Sequence, residues 1–107
     1  MKVRLIVYII YVVLSTQLMT KSKLYYFYIL RCSDNTLYCG QTIDINRRVL
    51  EHNSSRKGAK YTKSRRPVEL LYFEEHLTIK DVMKREIEVK RWSKVRKEKL
   101  AAGSKKS

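Results

Sequence analysis

The sequence predicts an α+β fold: a small three-stranded antiparallel sheet flanked by helices, in the order β-β-α-β-α-α. Three observations lead there. Two tyrosine-rich runs, YYFYILRC (25–32) and LYCGQT (37–42), are separated only by Ser33, Asp34, Asn35 and Thr36, the layout of a hairpin. A third alternating run, VELLYFEEH (68–76), follows the single proline, Pro67. Helical patterns come after capping residues at Asp44, Thr78 and Ser93.

The first twenty residues stand apart. Lys2 and Arg4 precede a ten-residue apolar run from Leu5 to Leu14. A comfortable membrane span needs about 20 apolar residues, and no small-residue cleavage site follows as it would in a secretory signal. Three readings are open: an extension ahead of a start at Met19, an uncleaved signal or membrane anchor, or an additional strand. The domain is expected over 21–103, with a basic tail at 104–107.

The hairpin comes first in that domain. Asn35 tolerates the left-handed conformation, so a three-residue loop, Ser33-Asp34-Asn35, pairs residue 32 with 36 and residue 30 with 38. Strand side chains alternate faces, so Tyr28, Leu30 and Tyr38 share one face. Cys32 and Cys39 fall on opposite faces and cannot bridge. They also lack zinc-site spacing and are expected to be small buried thiols.

Asp44 caps a helix over 45–53 whose wheel places Arg48 and His52 beside Ile45 and Val49, toward the sheet. Arg47 and Glu51 lie on the other side as a solvated pair. An inward histidine is commonly a core residue. An arginine one turn away adds the alternative of a phosphate-contacting pair, because guanidinium offers an oxyanion a planar fork of donors.

Residues 54–67 form a loop holding Arg56, Lys57, Lys60, Lys63, Arg65 and Arg66, with no acid and with Tyr61 among them. Such cations neutralise backbone phosphates and such a ring can stack on a base, although a solvated basic loop reads similarly. The third strand follows. Thr78 then caps a helix to about Trp92, with Asp81 in the capping-box position, and Ser93 opens a last helix closing near Gly103. On the 79–92 wheel, Ile79, Val82, Met83, Ile87 and Val89 form an apolar arc, with Glu86 and Lys90 near its middle. A buried carboxylate needs a partner or a metal. Glu86 is therefore either ion-paired to Lys90 at the core edge or a working carboxylate facing a cleft.

Composition narrows the function. The 107 residues suit one domain, with one Pro, three Gly and no repeat. Lys and Arg number 24 against 10 Asp and Glu, a formal charge of +14; removing residues 1–20 takes away Lys2 and Arg4 and leaves +12. Such an excess favours a polyanion, nucleic acid first and an anionic membrane surface second.

Taken together, YYFYIL, LYCGQTIDINRRVLEH and MKREIEVK resemble the GIY-YIG nuclease domain, particularly its small stand-alone members, over roughly residues 24–100. The resemblance lies in combined spacing: Tyr28, then Tyr38-Cys39-Gly40, Arg48 eight residues after that glycine, His52 four further on, and a helical Glu86. Two motif positions depart from the pattern. Tyr26 stands in Tyr26-Phe27-Tyr28 where the first motif has glycine, and Cys39 stands where the second has isoleucine. Both slots are structural in the family. The resemblance implies metal-dependent hydrolysis of phosphodiester bonds in DNA, branched or damaged DNA in repair or recombination among the substrates. RNA is left open. The implied catalytic residues are Tyr28, Tyr38, Arg48, His52 and Glu86, with Glu86 holding one Mg²⁺ or Mn²⁺. Arg56, Lys57, Lys60, Tyr61, Lys63, Arg65, Arg66 and Lys90 are the expected nucleic-acid contacts. A homodimer or a partner subunit is the expected means of cutting both strands, and a cytoplasmic, nucleoid-associated setting is implied. The competing readings are a non-catalytic nucleic-acid-binding module of the same fold and a membrane-surface protein anchored by residues 5–19.

Overall fold

The computed structural model of the protein describes residues 2–20 and 23–104. Most of the expected basic tail, 105–107, lies outside the described residues. The elements are α1 (Lys2–Thr20), β1 (Tyr25–Arg31), β2 (Leu37–Thr42), α2 (Ile45–Ser54), α3 (Lys60–Lys63), β3 (Glu69–His76), α4 (Ile79–Lys90) and α5 (Lys94–Ser104). From residue 24 onward this is the expected order, with the single turn α3 added where the sequence reads as loop. The first segment is helical, which corrects the strand alternative. Its apolar side chains from Leu5 to Leu14 are exposed. Among the described residues no helix is long and apolar enough to cross a membrane.

The sheet runs in the order β2-β1-β3, antiparallel throughout. β1 is central because four consecutive residues, Phe27, Tyr28, Ile29 and Leu30, are apolar enough to be buried on both faces. The hairpin loop is Ser33-Asp34-Asn35, with Asn35 left-handed at φ 67°. The Cys32 amide donates to Thr36 O at 2.9 Å, and Asp34 Oδ1 accepts from the Thr36 amide at 3.1 Å. The loop therefore sets the register that pairs Leu30 with Tyr38 and Tyr28 with Gly40.

That register divides the core in two. On one face Tyr28, Leu30, Cys32 and Val68 pack with Tyr38 and with Val49 of α2. On the other, Phe27, Ile29 and Cys39 pack with Val82 and Val89 of α4. Each fully buried Leu, Ile, Phe or Val contributes about 1.5–3 kcal/mol. The two thiols are free and lie in different clusters, as the loop length requires.

α2 begins at Asp44, whose carboxylate accepts from the Arg47 amide at 3.1 Å; α4 begins at Thr78, whose hydroxyl accepts from the Asp81 amide at 3.1 Å. The apolar arc expected on α4 is only half buried. Val82 and Val89 are inside, whereas Ile79, Met83 and Ile87 are each about half exposed. The helix meets the small sheet along one row of side chains, residues 82, 86 and 89 at i, i+4, i+7 spacing, and the neighbouring row 79, 83, 87 faces outward. Glu86 thus sits between two buried valines.

Candidate active site

Tyr28 is the hub. β1 places it in the middle of the sheet and α2 roofs it, so its side chain is 1% exposed. The phenol lies across its cross-strand partner Gly40, which has no side chain to obstruct it. The hydroxyl reaches His52 Nε2 at 2.8 Å, and His52 Nδ1 reaches Thr62 Oγ1 at 2.8 Å. His52 and Thr62 are both 0% exposed. α3, the unexpected helical turn, exists at the point where Thr62 closes this chain of hydrogen bonds; Thr62 Oγ1 also donates to Ala59 O at 3.0 Å.

Tyr38 lies on the same face, its ring centroid 6.4 Å from Tyr28 and 5.1 Å from His52. Tyr61 stacks on Tyr38 at 6.0 Å and 24°, and the Arg65 guanidinium covers Tyr61 at 3.8 Å. A continuous aromatic column therefore runs from the buried imidazole to the surface.

Arg48 approaches from α2. Its guanidinium donates to Glu51 Oε1 at 3.0 Å and to Lys57 O at 2.7 Å, and its positive charge acts on the Tyr28 phenol. Here the sequence expectation is corrected. Glu51 pairs with Arg48, not with Arg47, because at i,i+3 spacing its carboxylate bends back to the partly buried guanidinium. Burial works against the charge of Arg48, but the bond to Glu51 and the neighbouring phenol outweigh it and raise its pKa.

Glu86 comes from α4, which packs on the far face of the sheet against β2 and β1. Its side chain is 19% exposed and pairs with Lys90 Nζ at 3.6 Å. The carboxylate is not turned to bulk solvent. Burial chiefly raises the pKa of Cys39 and of the Tyr28 phenol, and the charge of Glu86 adds a smaller push to both. Tyr28, Tyr38 and His52 thus cluster on one face of the sheet with Arg48 beside them on α2, whereas Glu86 stands on the other, next to Lys90, which borders the same hollow as Tyr38 around edge strand β2.

The electrostatics follow from burial. Tyr28 is pushed up to about 12, chiefly by desolvation, with Tyr38 and Glu86 adding and Arg48 opposing. His52 is pushed down to about 4, again chiefly by desolvation and then by Arg48 and Arg66, with Glu51 opposing. At neutral pH the imidazole is uncharged.

The cationic residues separate into distinct roles. Arg56, Lys57, Lys60 and Lys63 are exposed. Arg65 is tied down by Asp34 at 3.0 Å while it covers Tyr61. Arg66 departs from the expectation. Its guanidinium donates to the carbonyls of His52 (2.5 Å) and Ser55 (2.6 Å), so it closes the C-terminal end of α2 rather than facing a polyanion. Lys90 joins Lys97, Leu37, Tyr38, Cys39 and Tyr61 around a hollow of about 220 Å³ next to the site.

Thr62, Lys97 and the steric role of Gly40 were not legible from spacing. Thr62 sits in a one-turn helix with no periodic signal, and Lys97 reaches the hollow only through the packing of α5.

A divalent cation fits the donor set in one way. Among the described residues no group of three or more His, Cys, Asp or Glu gathers to enclose an ion. Glu86 is one hard oxygen donor, held only loosely by Lys90 at 3.6 Å. Mg²⁺ commonly takes one or two carboxylates and fills its shell with water and phosphate oxygens, so a single-carboxylate site suits Mg²⁺ or Mn²⁺.

Comparison with known proteins identifies the domain. A model of the GIY-YIG catalytic domain matches residues 24–99. A UPF0213 protein of Syntrophus aciditrophicus is 53% identical over 72 residues, covering 67% of this chain and 83% of that protein. A UPF0213 protein of Desulfotalea psychrophila is 47% identical over 87 residues, covering 81% of this chain and 79% of that one. The solution NMR structure of the protein EF2693 from E. faecalis superposes with a TM-score of 0.57 at 37% identity, covering 79% of this chain and 90% of that chain.

Proposed function

Because the chain belongs to the GIY-YIG family, as a small stand-alone member, we propose that it is a metal-dependent endonuclease hydrolysing phosphodiester bonds in DNA, branched or damaged DNA included. The family implies nuclease-type activity; GIY-YIG nucleases act on DNA and generally use a divalent metal. The observation that carries the reading is the cluster around His52 on one face of the sheet: the Tyr28 phenol at 2.8 Å from Nε2, and the Tyr38 ring with its centroid 5.1 Å from the imidazole and 6.4 Å from Tyr28.

In this reading the scissile phosphate lies at the edge of β2, where the Tyr28–Tyr38 face meets the side from which α4 approaches. Arg48 donates to its nonbridging oxygens, where charge grows in the transition state, the role in which fixed donors contribute most. The Tyr28 oxygen orients the attacking water, and His52 holds the phenol in place. Glu86 would hold Mg²⁺ or Mn²⁺, which supplies polarisation of the phosphate and stabilisation of the leaving oxygen. Tyr61, backed by Arg65, offers a base a stacking surface. Arg56, Lys57, Lys60, Lys63 and Lys90 supply sequence-independent phosphate contacts.

The test is a panel of end-labelled linear, flapped and branched DNAs incubated with Mg²⁺ or Mn²⁺. Metal-dependent cleavage of at least one supports the reading. Tight binding with no cleavage of any leaves a nucleic-acid-binding module instead.

A further inference from the structure

We propose that Thr62 is a positioning residue: it fixes His52 in the tautomer with the proton on Nδ1, so that the Tyr28 phenol must donate its own proton to Nε2. The role in cleavage rests on the nuclease reading above; the tautomer does not.

The assignment is a proton count. The Tyr28 hydroxyl is buried and carries one proton. Arg48, whose charge acts on the phenol, is a donor only and offers that proton no acceptor. Among the described residues the acceptor in reach of the phenol proton is His52 Nε2, at 2.8 Å. If Nε2 carried hydrogen instead, the phenol oxygen would accept it and the phenol's own proton would be stranded in the interior. An unmade buried hydrogen bond of that kind costs about 1–3 kcal/mol.

Nε2 is therefore the unprotonated nitrogen, and a neutral imidazole then has its proton on Nδ1. That proton needs an acceptor, and Thr62 Oγ1 at 2.8 Å is placed for it. The threonine hydroxyl can accept because it spends its own proton on Ala59 O at 3.0 Å. The competing contact, the Ala59 amide against Nδ1, is 3.5 Å long and at the limit of a hydrogen bond. Each side-chain donor of the chain then has an acceptor, Nδ1–H to Thr62, Thr62 to Ala59 O and Tyr28 to Nε2, and what is given up is the long contact of the Ala59 amide.

The consequence concerns the phenol oxygen. With its proton turned to His52, the phenol presents its lone pairs, and these are what can accept a hydrogen bond from the attacking water. A merely space-filling residue at 62 would hold the imidazole but leave its tautomer open. Burial first, then Arg48 on its own helix and Arg66 before β3, keep His52 neutral, with Glu51 opposing. Tyr28 and Tyr38 face it from the sheet.

The experiment is ¹⁵N NMR of the His52 ring in the full chain, wild type, Thr62→Ser and Thr62→Val, with single-turnover cleavage measured alongside. Expected are an Nδ1-bound proton in wild type and in Thr62→Ser, and a shift toward the Nε2–H form in Thr62→Val. Thr62→Val should also cleave about 10²-fold more slowly with unchanged DNA affinity, the low end of what positioned proton-handling groups contribute, and Thr62→Ser should restore most of the rate. A wild-type ring protonated on Nε2 overturns the proposal, whether or not Thr62→Val folds. So does a folded Thr62→Val that keeps the Nδ1 proton and the full rate. Absence of cleavage by wild type on every DNA would defeat the nuclease reading while the spectra still decide the tautomer.

Discussion

A Cβ on Gly40 would lie 2.5 Å from the phenol oxygen of Tyr28 and 2.6 Å from its Cζ, so the two residues occupy complementary halves of one cross-strand site. The ring cannot swing away cheaply, because it is buried under α2 and bonded to His52. Gly40→Ala is therefore expected to displace the phenol and break the 2.8 Å bond, at an overpacking cost of about 1–3 kcal/mol. Urea denaturation should show a folded but weakened protein, and DNA cleavage should fall at least tenfold.

His52 makes stability depend on acid. In the unfolded chain its pKa is near 6.5 and in the folded protein about 4, so between these values the unfolded state takes up a proton that the native state refuses. The stabilisation is complete above pH 6.5, declines as pH falls, and is fully lost below about pH 4. The loss should approach roughly 3 kcal/mol. Denaturant titrations across that window should show a steep decline for wild type and a shallower one for His52→Gln.

Lys63 and Arg66 carry the same charge three residues apart and should respond differently. Lys63 is exposed, whereas Arg66 closes α2 through the His52 and Ser55 carbonyls. Lys63→Gln should reduce the slope of log affinity for duplex DNA against log salt by about 0.9 and leave the melting temperature unchanged. Arg66→Gln should lower the melting temperature, because it strips buried carbonyls of their donor.

Glu51 holds the guanidinium that the phosphate must recruit, at 3.0 Å. Glu51→Gln should therefore release Arg48 and tighten DNA binding by roughly 2–5-fold, the scale of a partly exposed ion pair. An equilibrium binding titration in low salt measures it. Weaker binding would mean that Glu51 is needed to aim Arg48 rather than to restrain it.

The parts of this molecule that could be read in the sequence are those governed by period and turn chemistry. Asn35 sets the loop length, the loop length sets the register, and the register puts Tyr28 and Tyr38 on one face. The inward pair Arg48 and His52 followed from helical spacing alone. What could not be read depends on tertiary approach. Ile79, Met83 and Ile87 look as apolar as Val82 and Val89, but a three-stranded sheet is too narrow to cover both rows. Arg66 looks like another cation of a basic loop until the loop folds back and meets the open carbonyls of α2. Thr62 carries no pattern at all; only the fold brings it to His52.

Glu86 gives the most direct measurement. It joins the site from the opposite side of the sheet, and the proposed chemistry needs its carboxylate to hold the cation. Glu86→Gln keeps its size and removes its charge. Single-turnover cleavage with Mg²⁺ or Mn²⁺ and DNA affinity should be compared with wild type on the best substrate of the panel. The account predicts that cleavage is lost by at least 10³-fold, the scale of a transition-state stabiliser, while affinity stays within about threefold, the scale of one exposed ion pair. Cleavage at the wild-type rate by Glu86→Gln would contradict it.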